Sequence, residues 1–195
     1  MRTAKITRNT AETAICLELN LDGTGAASID TGVGFFNHML TLLAHHSGFD
    51  LMVKVQGDLD VDFHHTVEDT GICLGEAFAK ALGDKRGITR FSDTTLPMDE
   101  ALVLTALDIS GRSYLACELQ LPSQKVGDFD TELCEEFWQA FVRASGVTLH
   151  IRQLAGRNTH HILEGVFKSA AKSLKKAVQI EAGREDQIPS TKGVL

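Results

Sequence analysis

The chain has 195 residues, of which 43% are hydrophobic, 23% charged and 6% aromatic, as in an ordinary globular protein. This composition excludes collagen, a coiled coil and low-complexity disorder. The 19 basic and 26 acidic side chains give a net charge of −7 without a basic patch, so we expect no nucleic-acid partner. No apolar run is long enough to cross a membrane, and the first residues lack the apolar core of a signal peptide. We therefore expect a cytoplasmic protein with no membrane partner.

The hydrophobic pattern predicts a similar series of elements in each half of the chain. In the first half these are a strand in TAICLELNL (13–21), a helix at about 32–46, a strand in FDLMVKVQ (49–56) and an amphipathic helix at 64–82. In the second half they are a strand in SYLACELQ (113–120), a helix at about 130–145, a strand in VTLHIRQL (147–154) and an amphipathic helix at 160–178.

Three matched segments indicate an internal duplication. Both long helices begin with His-His-x-x-Glu, at 64–68 and at 160–164, and a Ser-Gly pair ends the preceding helix in each half. In addition, ELNL at 18–21 corresponds to ELQL at 118–121. We predict an α+β fold of two similar halves, each a β-sheet with two helices packed on one face. The expected boundaries are 1–93 and 94–182, followed by a polar C-terminal tail at 183–195.

The repeated His-His-x-x-Glu motif is a candidate metal site. Residues i and i+4 of a helix share a face, whereas i and i+1 diverge by about 100°, so His64 and Glu68 can bind one ion while His65 faces another. Nine residues before the Ser of each Ser-Gly pair lies a further candidate ligand, His38 in the first half and Glu136 in the second. The candidate ligands, four for each of two ions, are His38, His64, His65, Glu68, Glu136, His160, His161 and Glu164. Mixed imidazole and carboxylate ligands that leave positions open suit an octahedral ion such as Mn²⁺ or Fe²⁺ better than Zn²⁺.

Other histidines and the cysteines are expected to be structural. His150 lies on a strand face and has no counterpart in the other half, and His45 suits the C-terminal end of a helix. The cysteines form no CxxC pair and lie in apolar stretches, so we expect reduced, buried thiols at Cys16, Cys73, Cys117 and Cys134.

Seven segments together carry the motifs of a known family. They are Arg8–Thr13, DTGVGFFNHML (30–40), HHTVEDTG (64–71), GITRF (87–91), DISGR (108–112), GRNTHHILEGVFK (156–168) and PSTKG (189–193). In these segments the chain resembles the imidazoleglycerol-phosphate dehydratase family of histidine biosynthesis. The resemblance implies a duplicated α+β fold with two Mn²⁺ per active site, placed at the subunit interfaces of a 24-subunit shell. The chain departs from many members at Glu136, where they carry His.

The resemblance also implies an activity and the residues that perform it. The reaction is the elimination of water from D-erythro-imidazole glycerol phosphate, which gives imidazole acetol phosphate through an imidazolate and a diazafulvene intermediate. Glu12 is implied in proton transfer or in binding the side-chain hydroxyls, and His46 in assisting departure of the hydroxyl. The residues implied in binding the phosphate, the last two from a tail that closes over it, are Arg90, Arg112, Ser190 and Lys192. Lys168 lies one turn beyond Glu164 on the same helix face, which places it in the same pocket.

Two functions from other classes use similar residues. A di-metal hydrolase usually relies on a cluster of bridging aspartates, which this sequence lacks. A metal-storage shell would use the same ligands, but it would not need Glu12, the two arginines or the C-terminal Ser-Thr-Lys segment. Metal binding together with formation of the keto product distinguishes the three functions.

Overall fold

The computed structural model describes residues 1–195 and contains ten strands and four helices. In chain order they are β1 (Thr3–Asn9), β2 (Thr13–Asn20), β3 (Ala27–Asp30), α1 (Gly34–Ser47), β4 (Asp50–Gly57), α2 (His64–Leu82), β5 (Phe91–Met98), β6 (Ala101–Asp108), β7 (Tyr114–Glu118), β8 (Lys125–Val126), β9 (Phe129–Asp130), α3 (Leu133–Ser145), β10 (Thr148–Ala155) and α4 (Thr159–Ala177). None of the four helices is both long and apolar enough to cross a membrane.

The two halves of the chain have the same sheet topology. The strand order is β1-β2-β4-β3 in the first sheet and β5-β6-β10-β7 in the second. In each sheet three strands pair antiparallel, and the short edge strand, β3 or β7, pairs parallel with its neighbour. The duplicated α+β fold predicted from the sequence is confirmed. The boundaries 1–93 and 94–182 stay a prediction, and β5 spans their junction.

One of the three sequence matches behind the duplication is wrong. The segment ELNL belongs mainly to β2, an inner strand, whereas ELQL begins in β7, an edge strand. The topological counterpart of β2 is β6, in which every second residue is buried, as it is in β2. Alternation records only that one face of a strand is buried, so it cannot tell one amphipathic strand from another.

The helices of the two halves pack against each other between their sheets. Helix α2 lies on β1 and β2, α4 lies on β5 and β6, and the helices cross over so that α1 contacts α4 and α2 contacts α3. Glycines permit the closest of these approaches, since a Cβ at Gly71 or Gly75 would lie 2.6 Å from a backbone carbonyl oxygen of α3. The result is one continuous core of 44 buried residues that both halves share.

The Ser-Gly pairs and the C-terminal segment have definite structural roles. Gly48 and Gly146 adopt left-handed conformations at the C-terminal ends of α1 and α3, where their N–H groups cap the last turn. The C-terminal segment is tied to residues 86–90 by three hydrogen bonds to its carbonyl oxygens, at 2.6 Å from Arg86, 2.8 Å from Gly87 and 2.8 Å from Arg90. The predicted tail is therefore anchored to the loop between α2 and β5 as far as Pro189.

Candidate metal centre and substrate site

A three-residue cluster joins the two halves of the chain. His38 on α1 lies with Nε2 2.7 Å from Oε1 of Glu164 on α4, and Nε2 of His160 lies 3.2 Å from the same oxygen. One ligand atom from each of the three residues lies within 4.8 Å of the other two, and this is the one cluster of three such side chains in the chain. The crossing of α1 over α4 creates it. Two imidazoles and a carboxylate are a donor set that fits a divalent transition metal.

The N-terminal turn of α4 holds its two histidines in different directions. The Asn158 side chain caps the helix and accepts hydrogen bonds from the backbone N–H groups of His160 and His161. His160 shares a face with Glu164, as the four-residue spacing predicts. His161 faces the turn between β5 and β6, where its Nδ1 lies 2.7 Å from Glu100. This hydrogen bond raises the pKa of His161 and, together with backbone N–H donors, lowers the pKa of Glu100 to about 2.

Glu164 is a buried carboxylate that stays ionised. Its side chain is only 8% exposed, and Nζ of Lys168 lies 2.6 Å from Oε2. Burial alone would raise the pKa of Glu164, but hydrogen bonds from Lys168, His38 and His160 outweigh burial and lower it to about 2. The carboxylate is therefore charged at neutral pH, as a metal ligand must be. Lys168 lies against the same cluster.

The second His-His-x-x-Glu motif is more open. Nε2 of His64 lies 3.7 Å from Oε2 of Glu68, and both side chains are more than a third exposed. Glu136 is half-buried on α3, which packs against α2 as α1 packs against α4. His64, Glu68 and Glu136 do not gather as closely as the three residues of the first cluster. His65 turns away from them, and the hydrogen bond between its Nδ1 and Asp58, at 2.9 Å, raises the pKa of His65.

Glu12 lies in the tight turn between β1 and β2, beside His65. Its carboxylate is half-exposed and lies 3.7 Å from Nε2 of His65. A buried aspartate on α2, Asp69, holds this turn in place, because it accepts a 2.5 Å hydrogen bond from Thr13 and pairs with Arg8 at 2.9 Å. The sequence reasoning missed Asp69 as a support for the site. Its place four residues before Cys73, on the same face of the amphipathic helix, was the available signal.

His46 lies farther along the groove between α1 and α4. These helices run side by side in the same direction, since His38 lies beside Glu164 and Gly48 beside Lys175. Burial, followed by the neighbouring charges of His45, Lys168 and Lys172, lowers the pKa of His46. His46 is therefore a neutral imidazole at neutral pH. Its neighbour His45 is exposed at the end of the helix.

Two of the four residues expected to bind phosphate, Arg90 and Arg112, contact Asp108. The Arg90 guanidinium lies 2.7 Å from Asp108 and also donates to the carbonyl oxygen of Pro189 at 2.8 Å. Arg112 lies 3.6 Å from Asp108 and is 69% exposed, so most of its guanidinium is free to bind a ligand. Ser190 is half-buried and Lys192 exposed in the C-terminal segment, whose last residue lies against Gly111.

This cationic group and the metal cluster lie at opposite ends of α4. The backbone N–H of Arg90 donates to the carbonyl oxygen of Ala177, the last residue of α4, whereas His160 lies in the first turn. Seventeen residues of helix separate the two, which is about 26 Å at 1.5 Å per residue.

The remaining candidates have surroundings that suit structural roles. His150 lies on the second sheet with its ring 5.7 Å from that of Tyr114. All four cysteines are free, and burial raises the pKa of Cys73 and of Cys117 to about 12. Cys73 and Cys134 are buried as expected, whereas Cys16 and Cys117 are only half-buried.

Comparison with known proteins identifies close relatives over the whole chain. The family model of imidazoleglycerol-phosphate dehydratase matches residues 31–174. The imidazoleglycerol-phosphate dehydratases of Methylorubrum extorquens and Azorhizobium caulinodans are 56% and 57% identical over 195 residues, which covers all of this chain and at least 99% of each relative. The crystal structure of the Staphylococcus aureus enzyme is similar with a TM-score of 0.84 and 39% identity, covering 92% of this chain and 99% of that one. The Pyrococcus furiosus structure, a complex with (S)-C348, has a TM-score of 0.84 and 36% identity, covering 97% of this chain and 100% of that one.

Proposed function

The chain belongs to the imidazoleglycerol-phosphate dehydratase family, and from this we propose that it converts D-erythro-imidazole glycerol phosphate to imidazole acetol phosphate in histidine biosynthesis. It is a hydro-lyase. The reaction breaks the C–O bond on the carbon next to the imidazole ring and the C–H bond on the following carbon. The resulting enol tautomerises to the ketone, so water is the only other product.

The observation that carries this proposal is the cluster of His38, His160 and Glu164. It needs both halves of the chain, and it presents two imidazole nitrogens and an ionised carboxylate to one point. The same motif at the start of α2 supplies His64 and Glu68, with Glu136 on the adjacent α3. We assign two Mn²⁺ ions to the eight candidate ligands, which also include His65 and His161. Two such ions would supply Lewis-acid activation of the substrate's imidazole ring without a redox change.

The protein's own residues supply proton transfer. Glu12 is half-exposed, and its contact with His65 is as long as 3.7 Å, so its carboxylate is the candidate to accept the proton from the C–H bond. His46 is neutral at neutral pH, and its ring N–H can donate a hydrogen bond to the substrate hydroxyl that leaves. Lys168 donates a hydrogen bond to Glu164, and its charge also acts on His46, so it lies in the same groove as both.

The distance along α4 supports an active site formed by more than one copy of the chain. Five single bonds join the ring of the substrate to phosphorus, and three extended backbone bonds span at most about 3.6 Å, so the whole substrate is roughly 10 Å long. Within one chain, the cationic group around Arg90 lies about 26 Å along α4 from His160. A neighbouring copy that brings its Arg90, Arg112, Ser190 and Lys192 to this chain's ligands would close the gap. The 24-subunit shell implied by the family motifs is one assembly that provides such interfaces.

The compartment is also part of the proposal. Four unpaired cysteines support the cytoplasm, because reducing compartments keep thiols free.

A dehydratase assay on metal-stripped protein tests the proposed function directly. The stripped protein should be inactive, and added Mn²⁺ should restore formation of the keto product from the phosphorylated diol. Mg²⁺ at the same concentration is the matched control, because it prefers oxygen ligands to imidazole. Binding of Mn²⁺ without product would leave a storage role, and release of inorganic phosphate would indicate a hydrolase.

A further inference from the structure

The duplication places a glutamate at the same point of both halves. Glu12 immediately precedes β2 and Glu100 immediately precedes β6, and each lies in the tight turn that joins the first two strands of its sheet. Each glutamate faces the second histidine of the nearby motif, His65 or His161. The two glutamates therefore occupy equivalent positions in the two halves.

Glu100 is fully engaged by its own half of the molecule. Its Oε2 lies 2.7 Å from Nδ1 of His161, and its Oε1 accepts hydrogen bonds from the backbone N–H groups of Asn158 at 2.8 Å and Arg157 at 3.3 Å. An ionised carboxylate only accepts hydrogen bonds, so Nδ1 of His161 must donate. A neutral imidazole that donates from Nδ1 carries its free lone pair on Nε2. Glu100 thereby fixes which nitrogen of His161 can bind a ligand.

Glu12 does not have this task, because Asp58 performs it in the first half. Oδ2 of Asp58 lies 2.9 Å from Nδ1 of His65, while Glu12 stays 3.7 Å from the other ring nitrogen. The two halves differ in this respect because of the residue that follows a glycine at the end of β4 or β10. The residue after the strand-ending glycine of β4 is Asp58, but the residue after Gly156, which follows β10, is Arg157, whose side chain cannot accept a hydrogen bond.

We propose that Glu100 is a positioning residue that holds His161 with Nε2 directed to a metal ion, that Asp58 does the same for His65, and that Glu12 is consequently the only one of the two counterpart glutamates free to act on substrate. The proposal rests on the proposed role of His65 and His161 as metal ligands. It adds that the halves have diverged in how each orients its histidine.

The substitution Glu100→Gln tests the orientation of His161 with little other change. Gln keeps an oxygen for the backbone N–H groups of Arg157 and Asn158, but it turns an NH₂ donor toward Nδ1 of His161. The imidazole must then accept at Nδ1 and carry its proton on Nε2, where a metal cannot bind. Mn²⁺ alone is titrated into metal-stripped protein, and the electron paramagnetic resonance signal of the free ion reports how much has bound. The affinity of the variant for Mn²⁺ should be reduced about 10- to 100-fold.

Three further variants separate the possible outcomes. Glu12→Gln, the counterpart substitution, should keep Mn²⁺ affinity within about twofold while turnover is lost; equal metal loss in both variants would overturn the proposal. His161→Gln should lose the ion, and if it does not, the ligand assignment fails rather than the role of Glu100. Asp58→Ala repeats the test at His65, so the proposal stays testable if Glu100→Gln does not fold. The proposal would also be refuted if His161→Gln lost Mn²⁺ while Glu100→Gln and Asp58→Ala, both folded, bound Mn²⁺ with wild-type affinity.

Discussion

Replacing Glu164 by Gln in the metal-free protein tests the electrostatics of the candidate metal cluster. Glu164 accepts hydrogen bonds from His38, His160 and Lys168, and its pKa is about 2 instead of the ordinary 4.5. A group whose pKa is lowered by folding stabilises the folded state above its ordinary pKa, and this stabilisation is lost as the pH falls toward the folded value. The shift of about 2.5 units corresponds to about 3 kcal/mol at 1.36 kcal/mol per unit. The Gln variant has no such group to titrate.

The measurement is the free energy of unfolding in urea, at fixed protomer concentration and in the presence of a chelator. The comparison runs from pH 5.5 down to pH 3, a range in which free histidines are already protonated. The advantage of the wild type over Glu164→Gln should shrink by roughly 2 kcal/mol over this range. In Glu164→Gln, Lys168 loses its charged partner, which costs the same free energy at pH 5.5 and at pH 3. This cost therefore does not alter the change in the wild-type advantage between the two pH values.

The duplication supplies a matched control. Glu68 is the counterpart of Glu164 on α2, but it has only the 3.7 Å contact with His64 and a more exposed side chain. Glu68→Gln should therefore change the unfolding free energy by less than about 1 kcal/mol at either pH. An advantage over Glu164→Gln that stays the same at pH 5.5 and pH 3 would mean that Glu164 is not the ionised centre of this cluster.

Three other predictions concern assembly, ligands and substrate. Because the candidate ligands come from distant motifs, chelation should give smaller species in light scattering and Mn²⁺ should restore the larger ones, whereas an unchanged mass would show that metal does not hold the copies together. Glu136→His should keep its metal because His occupies this position in many members of the family, whereas Glu136→Ala should lose it; two tightly bound ions per chain in the Ala variant would remove Glu136 from the ligand set. Lys192→Ala should lower kcat/KM about 10- to 100-fold through loss of a charge-assisted contact of about 1.5–3 kcal/mol, while binding of free imidazole, measured by competition, stays unchanged; equal losses would place Lys192 in support of the metal site.

The C-terminal segment shows how the structure refines a prediction from sequence. Its polar composition predicts a tail, and only the resemblance to the family implies that this tail closes over the phosphate. The hydrogen bond from Arg90 to the carbonyl oxygen of Pro189 now ties the segment to a residue that is itself a candidate phosphate ligand. Removal of residues 189–195 should therefore disturb the surroundings of Arg90 as well as remove Ser190 and Lys192.

The sequence alone determined the local features of this protein. Helical spacing is enough to place His160 and Glu164 on one face and His161 on another, because the period of a helix is the same wherever it occurs. The repeated motif and the Ser-Gly pairs likewise determined the duplication and the ends of the helices. Alternating strands were less specific, and the mistaken match between ELNL and ELQL shows the limit of a signal that records only one buried face.

Only the tertiary structure decided which distant residues meet. The packing of α1 against α4 brings His38 to Glu164 across 126 positions of sequence, and no local periodicity encodes that crossing. The tertiary structure also separated Glu12 from Glu100, two acids with the same place in the repeat, because Nδ1 of His65 contacts Asp58 whereas Nδ1 of His161 contacts Glu100 itself. The physical reason is that local conformation depends on near neighbours in the chain, whereas a binding site depends on which buried faces pack together. One continuous core shared by both halves makes that choice here.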